Sequence, residues 1–228
     1  MSEEIIEETQ QEPAYKKIQE RAETAPDSSV FSKFEGYDYL FSPDWLEKGH
    51  TPLCLDIGAG MGRFLMGMAE TYPERRFIGI DPDYQCIKKN LQKCKNREKR
   101  DVKIEHVRLF YGSVYHFFPH LKKESVSIAY VNYPDPWFKR RHLKRRLVKE
   151  ELFNTLHPLL KPGAEVFVQT DIDDYAHFID EELKKVKGFD IQYEAISLFK
   201  DFPTTLYQEK AEKKDHSRFC YYLKKVES

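Results

Sequence analysis

Between Leu53 and Lys224 the chain alternates short apolar runs with longer stretches in which apolar residues recur every three or four positions, a pattern that predicts strands joined by helical crossovers. The runs Leu53–Ile57, Phe77–Ile80, Ile104–Leu109, Val126–Asn132, Ala164–Thr170, Ile191–Leu198 and Phe219–Lys224 read as strands. Arg63–Tyr72, Tyr84–Lys95, Lys149–Leu160 and Asp173–Lys187 read as helices, the third stopped by Lys161-Pro162-Gly163. Seven strands with these crossovers fit one open α/β domain on a mainly parallel sheet. Residues 1–30 break the pattern. Rich in Glu, Gln, Ser and Pro and poor in large apolar positions, they cannot offset their ordering entropy, so a disordered acidic tail is expected ahead of a domain over 31–228. The cluster Phe34, Tyr37, Tyr39, Phe41 and Trp45 is too dense for a linker and is expected to form a lid or brace on that domain.

Composition narrows the class. With 228 residues, 40% of them hydrophobic and 14% aromatic, the chain can build a core, which excludes disorder throughout. It holds no apolar run of about 18 residues, and Glu3, Glu4, Glu7 and Glu8 stand where a secretory leader needs a basic and then an apolar stretch. A cytoplasmic protein without a membrane span is expected. Cys54, Cys86, Cys94 and Cys220 have neither zinc nor CxxC spacing and read as reduced thiols; the histidines show no ligand spacing either, so no metal is expected. No serine sits in a GxSxG elbow, which removes the common hydrolase reading. The net charge of −1 conceals an asymmetry: residues 1–12 hold five glutamates and no cation, whereas 139–149 hold seven Lys and Arg and no acid.

Leu53–Ile57 runs directly into Gly58-Ala59-Gly60-Met61-Gly62 and then a helix, so glycines stand where a strand must turn sharply and admit a ligand to the backbone. The spacing is GxGxG, with Arg63 where a dinucleotide fingerprint needs its third glycine. Asp81 closes the next strand, placed to accept from a ribose diol; an ordinary tight turn and a helix cap are the plain alternatives. Asp56 is an acid within an apolar strand, costly to bury without donors. Acids at 56 and 81 suit S-adenosylmethionine, which carries an ammonium and a sulfonium, better than a pyrophosphate.

The fourth strand ends in Asn132-Tyr133-Pro134-Asp135-Pro136-Trp137, two prolines bracketing an aspartate at the carboxyl edge of the sheet, where open α/β sheets bind ligands. A plain turn with Trp137 as a core plug is the alternative. The single-sign run Lys139, Arg140, Arg141, Lys144, Arg145, Arg146 and Lys149 follows, and such a cluster repels itself unless a polyanion neutralises it. Nucleic acid is the expected polyanion.

LDIGAGMGRFL, the acid of IGIDPD and above all NYPDPWFKRRHLKRRLV resemble the tRNA (guanine-N7)-methyltransferases of the bacterial TrmB type, over roughly Leu53 to Lys224. The resemblance implies a class I methyltransferase, Rossmann-like, with a seven-stranded mostly parallel sheet and helices on both faces. It also implies S-adenosylmethionine as donor and, as acceptor, the variable-loop guanine at position 46 of tRNA. By position, Asp56 and Asp81 fall on cofactor-contacting acids, Gly58 and Gly60 on the cofactor loop, and Ser113 where the family usually has Asp or Asn against the adenine. Asp135 falls on the catalytic aspartate, which also borders the cofactor. Lys139, with Arg140 and Arg141, Asp171, Thr205 and Gln208 fall on substrate contacts, Gln208 replacing the glutamate of a TxxE pattern with Glu209 beside it.

Guanine N7 carries an exposed lone pair, so methyl transfer to it needs no strong general base. A site for it must align the atom and offset the positive charge appearing on the purine, and Asp135 is the residue expected to do both. Tyr133, Trp137 and Phe138 are candidates for stacking on displaced bases, with core packing as the alternative. Two other readings stay open: an amino-group methyltransferase, since Asn132-Tyr133-Pro134 faintly resembles an NPPY loop, and a non-catalytic RNA-binding protein on the same fold. Monomer and homodimer are equally open.

Overall fold

The computed structural model describes residues 39–47, 49, 51–213 and 216–226; the expected tail, with Phe34 and Tyr37, lies outside the described residues. The helices and strands in chain order are α1 (Pro43–Glu47), β1 (Leu53–Ile57), α2 (Arg63–Thr71), β2 (Arg76–Asp81), α3 (Tyr84–Glu98), β3 (Val107–Tyr111), α4 (Val114–Phe117), β4 (Val126–Asn132), α5 (Glu150–Leu156), β5 (Leu160–Thr170), α6 (Asp173–Leu183), β6 (Phe189–Gln192), α7 (Leu206–Glu212) and β7 (Phe219–Lys225). The strands make one sheet in the order β3-β2-β1-β4-β5-β7-β6, parallel except where β7 runs antiparallel to β5 and β6. This is the α/β sheet the alternating pattern predicts.

Helices cover both faces of that sheet, which is why its central strands read as continuous apolar runs. On β1, Leu53, Leu55 and Ile57 join a core layer with Trp45 of α1, Leu152 of α5 and Ile179 of α6, whereas Cys54 joins the opposite layer with Leu65 of α2 and Leu91 of α3. The two-residue period of the strand makes that division. The described part of the aromatic cluster, Tyr39, Phe41 and Trp45, braces the sheet. Phe41 N donates to Leu109 O and Leu109 N to Tyr39 O, both at 2.9 Å, so this segment covers the outer edge of β3. Trp45 lies beneath the guanidinium groups of Arg76 and Arg108.

Several boundaries differ from the sequence expectation: α3 runs on to Glu98, α6 ends at Leu183 rather than Lys187, β5 begins at Leu160 rather than Ala164, and three others have a local cause. The strand expected over Ile191–Leu198 stops at Gln192: Glu194 takes φ 56°, and Ile196–Phe199 winds into a 3-10 turn. The helix expected to reach Leu160 ends at Leu156 because Pro158 cannot donate a helical hydrogen bond, and Leu160 already belongs to β5. The strand expected from Ile104 starts at Val107, whose N–H closes a turn on Ile104 O. These are end effects, and the expected strands and helices keep their order, while α1, α4 and α7 are helices the pattern does not predict.

Candidate functional site

The strand order reverses between β1 and β4, and in open α/β sheets the crevice at such a switch lies outside the carboxyl ends of the strands. The glycine loop leaves β1 there. Gly58, Gly60 and Gly62 have φ of 80°, 51° and 68°, and a side chain on Gly62 would overlap Asn90 Oδ1. Asn90, fully buried on α3, donates to Gly60 O at 2.7 Å, so the loop is tied to the helix beside it. Asp81 ties it to β2: Oδ2 accepts Gly60 N at 2.7 Å and Oδ1 accepts Asp83 N at 2.8 Å. Each oxygen keeps a second lone pair for a ligand. A side chain at Gly58 would meet nothing within 4 Å, which leaves room over the loop.

Asp56 faces this crevice from β1 and is 2% exposed. Burial and then the Asp81 charge push its carboxyl up to about 7, against the opposing influence of Asn132. Asp56 Oδ2 and Asn132 Nδ2 are both buried without a closed hydrogen bond. The Asn132 orientation is set from far away. Arg218 can only donate, and its Nε donates to Gln169 Oε1 at 3.0 Å; Gln169 Nε2 must then donate, and does so to Asn132 Oδ1 at 2.6 Å. Asn132 is left with its NH2 to offer. Neither this relay nor Arg218 was foreseen from sequence, because the separations of 49 and 37 residues leave no local signal.

Burial raises the carboxyl of Asp81, against the backbone hydrogen bonds it accepts, and the charges of Asp83 and of the exposed Asp135 add to the rise, so acids from β1, β2 and the end of β4 are within electrostatic reach at one crevice. Tyr133 and Trp137 hold the loop around it with φ of 50° and 46°, a left-handed conformation uncommon for bulky residues and often stored at functional sites. Tyr133 N donates to Gln169 O at 2.8 Å, and its ring stacks on Tyr207 of α7. At 9% exposure, Tyr133 is a packing residue; Phe138, 69% exposed, is the ring open to a partner.

The basic run forms a 3-10 helix over Arg140–Arg145, with Lys139 at its N-terminal boundary and Lys139, Arg140, Arg141, Lys144 and Arg145 exposed. Arg145 lies over the Trp137 ring. Arg146 departs from the expectation that it meets phosphates. It is 3% exposed, pairs with Asp174, donates to Pro136 O at 2.8 Å and lies over Tyr175 and Phe178. It pins the aspartate loop to α6. Arg146→Ala should therefore lower stability by about 2 kcal/mol, a fall of roughly 4–8 °C in Tm, whereas Arg140→Ala should leave Tm within about 1–2 °C by calorimetry.

The remaining expected residues divide in the same way. Ser113 Oγ caps α4 by accepting Tyr115 N at 3.3 Å, and Thr205 Oγ1 caps α7 by accepting Gln208 N at 2.9 Å. Gln208 Nε2 donates to Glu212, and Glu209 pairs with Arg63 beside the glycine loop. Asp171, just past β5, lies 3.5 Å from His216 and acts electrostatically on Tyr133. Among the described residues no group of three His, Cys, Asp or Glu is gathered for a metal, and no helix is long and apolar enough to cross a membrane.

The family described as "Putative methyltransferase" matches residues 50–221. The tRNA (guanine-N(7)-)-methyltransferase of Jannaschia sp. is 35% identical over 167 residues, 72% of this chain and 68% of that protein. The chain belongs to the tRNA (guanine-N7)-methyltransferase family. The member from Syntrophotalea carbinolica is 37% identical over 139 residues, 61% of this chain and 58% of its own length, so the chain spans about three-fifths of that relative. An antibiotic-related methyltransferase of solved structure superposes with a TM-score of 0.56 at 17% identity, over 82% of this chain and 95% of that one; the likeness is one of fold. Within the family fold, Asp56, Gly58, Gly60 and Asp81 line the switch-point crevice, with Ser113 following β3 and Asp135 on the loop after β4.

Proposed function

We propose that this protein transfers the methyl group of S-adenosylmethionine to guanine N7 in tRNA, at the variable-loop position 46. The observation that carries the reading is the meeting of Asp56, Asp81 and Asp135 at one crevice, with a buried carboxylate oxygen that has no partner, beside an exposed run of cations. Carboxylates so placed repel one another, and a cationic ligand relieves them. An ammonium fits the lone oxygen of Asp56, and a ribose diol fits the spare lone pairs of Asp81. S-adenosylmethionine offers both, and supplies an electrophilic methyl on its sulfonium.

In this reading Asp135 accepts from N1–H and the exocyclic amine of the guanine, orienting N7, and its charge offsets the positive charge that the purine gains. No residue need remove a proton before transfer. Lys139, Arg140 and Arg141 meet tRNA phosphates, and Asp171 and the start of α7, with Thr205 and Gln208, border the base. The capping bonds of Thr205 and Ser113 make their part that of shaping backbone.

Incubation with S-adenosylmethionine and unmodified tRNA, followed by digestion and mass spectrometry, should yield 7-methylguanosine mapped to the variable loop. Bound cofactor without the product on any tRNA would overturn the reading in favour of a binding protein. Affinity for tRNA should fall steeply with salt: five exposed cations, Lys139 and four on the 3-10 helix that follows it, predict a slope of roughly −3 to −5 in log K against log salt. A flat dependence would remove these residues from the interface.

A further inference from the structure

A second basic surface lies on another part of the fold. Residues 84–103 hold eight cations against two acids, a marked local excess in a chain whose net charge is −1. On α3 the cations fall in rows. Lys89, Lys93 and Arg97 recur at helical spacing along one stripe, and Arg100 and Lys103 extend it past the helix end. Between this stripe and α2 lies a cavity of about 540 Å³, lined by Glu70, Lys93, Asn96, Arg97, Arg100 and Lys103 among others.

The acids nearby neutralise it only in part. Glu70 is taken by Arg97 at 2.5 Å and Glu98 by the Tyr39 hydroxyl. Among the described residues, Lys89, Arg100 and Lys103 pair with no carboxylate. Crowding is felt inside the groove: burial, and then Arg97, Arg63 and Lys89, depress the Lys93 ammonium. Lys93 Nζ donates to Met61 O at 2.5 Å, so the groove adjoins the glycine loop.

We infer that the α2–α3 groove is a second nucleic-acid surface, holding RNA backbone phosphates at a site separate from the 3-10 helix. A single small anion would be met by one or two cations. Here the charge runs from Lys89 to Arg100, roughly 16 Å at the helical rise and about twice the screening length at physiological salt, so its two ends act on different phosphates of one extended polyanion. The only large apolar side chain exposed on this stretch is Val102, which disfavours a lipid surface. Arginine and lysine without base-edge partners position a backbone and carry no sequence information, so this surface adds affinity without choosing the base. The inference rests on the tRNA reading above.

The test uses the full chain and leaves Lys93 and Arg97 untouched, since they hold Met61 and Glu70. In the triple variant Lys89→Gln, Arg100→Gln, Lys103→Gln, circular dichroism and S-adenosylmethionine affinity should match the parent. Its affinity for tRNA should fall about tenfold or more at moderate salt, and the salt slope should lose about 2 to 3. Unchanged affinity and slope, in a protein that Arg140→Gln and Arg141→Gln do weaken, would overturn the groove and leave the tRNA reading standing. Failure of the parent to bind tRNA at all would overturn both. Binding of phosphatidylserine vesicles that the triple variant loses, with tRNA binding intact, would assign the surface to membranes instead and also overturn the inference.

Discussion

Asp135→Ala is expected to lower kcat/KM for methyl transfer by about a thousandfold or more, while Tm and S-adenosylmethionine affinity change little. The reasoning starts from what this side chain does not do. Asp135 is exposed and makes no hydrogen bond among the described residues, so its removal costs the fold almost nothing. Yet the loop around it is held with Tyr133 and Trp137 in left-handed backbone, and it is fastened to α6 by Arg146 and to β5 by Tyr133 N. A carboxylate held so firmly with no structural bond to make is placed for a ligand. Two charge-assisted hydrogen bonds to the guanine, with the offset of the purine cation, amount to about 4 kcal/mol in the transition state, or three decades in rate. Asp135→Asn should retain part of the orientation and lose the charge, and so fall between parent and alanine. Rates equal to the parent in both variants would remove Asp135 from the chemistry.

The second large effect concerns Asp56, and it has opposite signs for binding and for stability. Its carboxyl, raised to about 7 in the folded protein against about 3.9 when unfolded, holds its proton more tightly in the native state. Its contribution to stability is therefore complete below about pH 4 and is lost as pH rises to about 7. Asp56→Asn removes the buried charge. The ligand-free variant should match the parent near pH 4 and exceed it by about 1–3 kcal/mol above pH 7, as read by chemical denaturation. Binding goes the other way. S-adenosylmethionine affinity should fall about a hundredfold in the variant, and in the parent it should strengthen as pH rises through 7, with proton uptake or release visible by calorimetry in different buffers. A parent whose affinity is flat from pH 6 to 8 would show that Asp56 does not meet the ammonium.

The most local features were legible in the chain. GxGxG directly after Leu53–Ile57 announces a turn that only left-handed backbone can make, and the three glycines take that backbone. Tyr133-Pro134-Asp135-Pro136-Trp137 concentrates its meaning in five consecutive residues, and the loop is found at the carboxyl edge of β4. Less legible were residues whose role depends on a distant neighbour. Arg146 stands in a run of exposed cations and differs from Arg145 in nothing the sequence displays; its inward turn follows from Asp174, Tyr175 and Phe178 waiting on α6. The cations of α3 were passed over because they are interspersed with apolar residues, and only winding into a helix sorts them onto one stripe.

By itself the sequence determined the order of the seven strands and of four helices, the glycine turn, the aspartate loop and the family, because each is written in periodicity or in contiguous residues. Tertiary structure alone decided which polar groups are spent on the protein and which remain for a ligand. Ser113 and Thr205 are consumed as helix caps, and Gln169 and Arg218 fix Asn132, while Asp56 Oδ2 is left unsatisfied in a buried strand. The physical reason is that hydrogen bonding and desolvation depend on distances in space, and the sheet brings together residues that lie dozens of positions apart in the chain.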